Sequence, residues 1–145
     1  MHVLLFLHLA AAIFWIGGMA FMVLALRAPL AQQLQPPVRL PLLSAILQRF
    51  FLVVGISIAV LLSTGVYLLM RAPAPAPGWH AMAALGVLMM LIFGHICLSP
   101  FRRMKQAVAL GDWPEGGRRM AQITLLAKLN LGLGWLAIAA VMLWR

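Results

Sequence analysis

Residues 2–26 read HVLLFLHLAAAIFWIGGMAFMVLAL, twenty-five positions without one aspartate, glutamate, lysine or arginine. At 1.5 Å per residue a helix of that length measures about 37 Å, more than the ~30 Å hydrocarbon core of a bilayer. Lipid offers no water to the peptide groups, so an uninterrupted apolar run must satisfy its own backbone as a helix. A cleaved signal peptide is the competing reading. No basic segment precedes the run, and it exceeds a typical signal core, so a retained span closed by Arg27 is expected. Working outward, comparable runs occupy about 50–70, 80–101 and 121–144, and the amphipathic stretch 42–49 can extend the second backwards. The expected fold is an all-α integral membrane protein, a four-transmembrane-helix bundle forming one domain over residues 1–145.

Composition points the same way. Sixty-five per cent of residues are hydrophobic and nine per cent charged, too little polar surface for a soluble domain of 145 residues. The net charge of +9 flanks the apolar runs, so its natural partner is the anionic headgroup layer of the bilayer and not nucleic acid. Cys97 is the single cysteine, which excludes a disulfide framework and a paired-cysteine metal site. APAPAPG at 72–78 is a stiff, polyproline-like link. Farther along, Gly111 can stop one helix and Asp112 with Glu115 resembles a capping box that starts the next. One side of the membrane receives Arg27, Arg39, Arg49, Arg102, Arg103, Lys105, Arg118 and Arg119; the other receives Arg71 and Arg145. By the positive-inside rule both termini are expected in the periplasm of a bacterial inner membrane, with the two longer loops in the cytoplasm.

Ionisable groups inside apolar runs are costly and usually serve function. Here they are His8, His80, His95 and Lys128, joined by the polar Asn130. His8 is expected roughly 9 Å in from the terminal side, with His80 near that interface and His95 about 22 Å deeper. Fifteen residues at about 100° leave His80 and His95 some 60° apart, on one broad face expected to look inward. Depth therefore pairs His8 with His80, and His95 with Lys128, the latter two each about 9–10 Å from the cytoplasmic helix ends. Arg27, Arg49, Arg102 and Arg103 ring that second pair as an electropositive mouth.

Two histidines on facing helices can hold a b-type haem, and imidazole with methionine thioether suits copper. For haem, the ligands would be His8 with His80, where Arg71 and Trp79 are the obvious partners for the propionates, or His8 with His95, where the propionates face the cytoplasmic arginines, Arg27 and Arg49 among them. For copper, His8 and His80 are the main ligands, and Met19, Met22, Met82, Met89 and Met90 supply thioethers in the first and third spans, Met82 being a weaker metal candidate. The plainer readings are gap-filling methionines, an interfacial His80 beside Trp79, a solvated His2 and a snorkelling Lys128.

The stretch LHLAAAIFWIGGMAFMVLALRAP, with His8, Trp15, Gly17, Gly18, Arg27 and Pro29, resembles the first span of the CopD-like (copper-resistance D) membrane domain family. The likeness continues through Pro37, Arg39, Arg49, Phe50 and Phe51, then His80, Met82, Gly86, Met89, Met90, His95 and Trp113, and ends at Asn130 and Gly134. A more distant similarity is to HemJ-type haem-b membrane proteins, whose asparagine–glutamate pair is Asn130–Leu131 here. The resemblance implies a haem- or copper-handling membrane protein and adds Trp15 to the cofactor-binding candidates. Three functions follow as expectations. The first is a cytochrome-b-like protein with haem b that exchanges electrons with quinone or another redox partner. The second is copper transport or sequestration. The third is a membrane oxidoreductase acting as a protoporphyrinogen oxidase, with His95 and Lys128 as catalytic proton-handling groups. Small residues such as Gly17, Gly18, Gly86 and Gly134 pack the helices closely, and the remaining surface leaves room for a homodimer.

Overall fold

A computed structural model describes residues 1–144; Arg145, counted above on the terminal side, lies outside the described residues. The described residues are helical apart from short links. Helix α1 covers His2–Phe21 and passes through a π-helical segment, Met22–Leu26, into α2 at Arg27–Gln33. Helix α3 spans Pro36–Arg71, α4 Pro77–Leu98, α5 Pro100–Leu110 and α6 Trp113–Leu143. Four helical stretches are long and apolar enough to cross a membrane.

Proline explains where these helices begin. Pro36, Pro77, Pro100 and Pro114 each occupy the first turn of their helix, where a missing N–H is harmless and the fixed φ suits the start. The ends have equally local causes. Gly111 adopts φ 68°, the left-handed conformation in which glycine alone is unstrained. Its N–H donates to the Val108 carbonyl and that of Asp112 to Ala107, a Schellman closure. The Asp112 carboxylate then accepts from the Glu115 N–H at 3.1 Å, so α6 starts eight residues earlier than the expected 121 and runs through Gly116 and Gly117. Only half of the expected capping box forms, because the Glu115 carboxylate pairs with Arg118 and Arg119.

The second span is longer than its apolar run for a similar reason. From Pro36 its helix is 36 residues, about 54 Å, and buries Leu40, Leu43 and Leu47 in the stretch before the run. These pack with Met104, Met120 and Ile123 in a compact core at the end of the bundle bearing the basic loops. The third span, expected to reach 101, breaks at Ser99 and restarts as α5. The polyproline link is correspondingly short, residues 72–76, because Pro77 and Gly78 belong to α4.

Packing is dominated by α1 against α3 and α4 against α6, with α1 and α4 on a diagonal. Edge-to-face aromatic contacts cross the centre: Trp15 on Phe93 at 6.3 Å, Phe93 on Phe51 at 5.4 Å, and Phe51 on Phe101 at 4.8 Å. Both chain ends share one end of the bundle. Met1 stands with Arg71 and Trp79 around a surface depression, and the Gly78 N–H donates to the Trp144 carbonyl at 3.0 Å. The outer surface is studded with Phe6, Ile13, Phe14, Leu52, Ile56, Leu91 and Leu125, an exterior made for lipid.

Candidate functional site

His8 sits on α1 where Gly65 of α3 lacks a side chain; a Cβ there would stand 3.2 Å from His8 Cε1. Beside it the buried Thr64 Oγ1 lies 2.8 Å from His8 Nδ1. The direction of that hydrogen bond can be assigned. The Thr64 hydroxyl has one proton and donates it to the Val60 carbonyl at 2.6 Å, so toward His8 it accepts. Nδ1 therefore carries the imidazole proton, and Nε2 keeps a free lone pair. This is how proteins fix the tautomer of a metal-ligating histidine, through the ring nitrogen that does not touch the metal.

The other predicted residues are dispersed. The buried side of α4 is set by Met89 and Ile96. His80 lies nine residues before Met89, a half-turn offset at about 100° per residue, and His95 lies one before Ile96. Both are exposed, so the face expected to look inward looks outward. Lys128 is exposed as well, and lies about 200° around α6 from the buried Asn130. No hydrogen bond joins it to His95 among the described residues. Arg49, Arg102 and Arg103 are exposed, Met82 and Arg27 are half-buried, and Trp15 is buried at the centre.

A narrow cavity of about 30 Å³ runs beside Trp15, Met19, Met22, Arg27, Met120 and Asn130. The π segment helps to build it. In a regular α-helix Met22 and Arg27, five apart, would diverge by about 140°; the wider i→i+5 turn brings both toward the cavity. Asn130 is almost wholly buried, and its Nδ2 donates to the Met89 carbonyl at 3.2 Å.

These residues do not fit a haem. Cofactor-sized pockets hold ~300–1,000 Å³, the interior cavity is far smaller, and no histidine lines it. The surface depression of about 360 Å³ at the terminal end also lacks a histidine wall. Nor is there a cluster of three or more His, Cys, Asp or Glu among the described residues. What the interior does hold is soft. Met19, Met22, Met89, Met104 and Met120 are all buried, half of the ten methionines.

Thr64 is the residue that reading the sequence missed. Isolated hydroxyls in apolar runs commonly bond the carbonyl four residues back, so nothing in the run singles it out. The available signal was depth: Thr64 lies seven residues before the end of α3, about 10 Å in, level with His8 on an antiparallel neighbour.

A family described as CopD, copper resistance protein D, matches residues 44–144, well over half of the chain, from Ser44 in α3 through α6. His8, Met19, Met22 and Arg27 precede the matched region. No curated protein and no solved structure gave a significant match.

Proposed function

This chain belongs to the copper resistance protein D family, and from that premise we propose that it handles copper within the membrane, transporting it or holding it in the bilayer. The observation that carries the reading is the seat of His8. A neutral imidazole with its proton committed to Thr64 presents Nε2 as a ligand, and such an imidazole is a common ligand for copper. His80 and Met82 belong to the first turns of α4 at the same end of the bundle, but α4 is diagonal to α1 and His80 is exposed, so the reading rests on His8. The cytochrome-b-like alternative has no corresponding support, since the interior has no room for the macrocycle.

With the basic loops in the cytoplasm, as their charge favours, His8 opens toward the periplasm of a bacterial inner membrane. The test is copper(I) binding to the purified full chain in detergent, read beside the copper tolerance of cells that express it. His8→Ala is expected to abolish binding at this position. Thr64→Val, which keeps the shape and removes the acceptor that fixes the tautomer, should weaken binding about 10–100-fold. Unchanged affinity and tolerance in both variants would overturn the proposal.

A further inference from the structure

Among the described residues Asn130 Oδ1 is the one buried side-chain nitrogen or oxygen without a hydrogen-bond partner. It is also the polar group most deeply set among apolar neighbours, since its residue is 1% exposed. Buried acceptors are rarely left alone, and each exception asks what completes it. The neighbouring amide nitrogen is already committed to the Met89 carbonyl. The Thr124 hydroxyl, on the same helix, donates to the Met120 carbonyl and has no proton left to offer.

Asn130 lines the narrow cavity, and the rest of the wall decides what could enter. Apart from Arg27, the Trp15 indole N–H and the committed Asn130 Nδ2, its heteroatoms are acceptors: thioethers of Met19, Met22 and Met120, the spent Thr124 hydroxyl, and Asn130 Oδ1. Arg27 stands at the far end. Gly134 rests against Ile16, so Asn130, one turn nearer the basic loops, is level with Met19, whereas Arg27 is eight residues beyond Met19, about 12 Å along α1. About 30 Å³ accommodates one water-sized guest and no hydrated ion.

We infer that this cavity binds one desolvated copper(I) ion, with Asn130 Oδ1 and the thioethers of Met19 and Met22 as donors. The Met120 thioether is then the next donor toward the basic loops. Soft thioethers select monovalent copper, and the neutral carbonyl oxygen completes the set without a buried negative charge. Arg27 keeps the cationic guest at the Asn130 end. The inference rests on the copper reading above but concerns a second position, inside the bundle and separate from His8.

The experiment is anaerobic titration of the full chain in detergent with copper(I) against a chromogenic chelator, repeated with silver(I) as a redox-inert probe. Metal-induced change in thermal unfolding is recorded in parallel. The wild type is expected to take up two equivalents. Asn130→Leu should remove one and its share of the thermal shift, while His8→Ala removes the other. Asn130→Leu keeps the branched shape but gives up the Nδ2 bond to Met89 together with the unpartnered acceptor, so each variant's metal-induced shift is read against its own metal-free midpoint. Met19→Leu with Met22→Leu, which conserves volume, should weaken the same equivalent at least tenfold. Retention of both equivalents in the Asn130 and Met19/Met22 variants would overturn the inference and leave Asn130 holding a water; loss in His8→Ala would still support the His8 position. A wild type that binds neither ion would remove both.

Discussion

A single missing methyl group decides whether His8 can take its position. Gly65 leaves the imidazole room, and the Cβ of Gly65→Ala would sit 3.2 Å from Cε1, the ring atom between the two nitrogens. Pressure there must move Nδ1 off Thr64 or turn Nε2 away. Copper affinity is expected to fall about tenfold, while the helix gains roughly 0.5–1 kcal/mol from replacing glycine. Chelator competition and thermal unfolding would then shift in opposite directions, and parallel shifts would refute the account. At this scale the sequence disclosed the presence of intramembrane histidines but not their facing. His8 was legible as a functional candidate because it lies deep in an apolar run. His80 and His95 are equally visible as letters, yet helical period gives only their mutual angle. Which way the pair faces is set by Met89 and Ile96, whose burial comes from partners elsewhere in the chain.

At the level of elements, start signals were more legible than spans. Proline and Asp112 mark helix beginnings by local chemistry, and that survives folding unchanged. The stretch 42–49 was legible as an extension of the second span, but the turn from Pro36 and the start of α6 before 121 were not, because hydropathy is broken there by Arg39, Glu115 and Arg118 while packing against α5 still keeps them helical. The π segment was invisible for a different reason: it is one residue too many in an unbroken apolar run. That gives a prediction. Deleting the exposed Ala25 should convert the i→i+5 turn to i→i+4 and keep Met22 and Arg27 aligned, so protein yield and copper binding persist. Inserting one alanine after Leu24 instead rotates Arg27, the cation that bounds the cavity, by about 100° and should alter the affinity of the interior equivalent where the deletion leaves it unchanged. Equal behaviour of the deletion and the insertion in chelator titration would show that the segment has no part in aligning the cavity.

For the molecule as a whole, the four long apolar helices followed from apolar runs alone, because lipid leaves the backbone no alternative to helix. Neighbour relations did not follow. The pairing of α1 with α3 and α4 with α6 depends on close approaches such as Gly78 against the backbone of Ala140 and Trp144. Gly78→Val would drive a branched side chain into those carbonyls, where no flexible atom can yield, and should destabilise the bundle by about 1–3 kcal/mol. Thermal unfolding in detergent measures it, and an unaltered midpoint would mean that the helix ends are not locked there. Orientation is a second property of the whole. A reporter phosphatase active only in the periplasm should work when fused after Trp144 and fail when inserted at Gly111. The reverse result would invert the direction in which His8 opens.

The tightness of the central cavity has one more consequence. A chamber with space for a single naked atom discriminates by undressing its guest. Magnesium holds its aqueous shell reluctantly exchanged and prefers hard oxygen donors in octahedral array, so it would have to surrender waters that sulfur cannot replace. Sodium and potassium meet the same mismatch. Selectivity in such a cavity would need no charged filter, because thioethers repay the lost hydration of a soft monovalent ion and not that of the hard ions abundant outside.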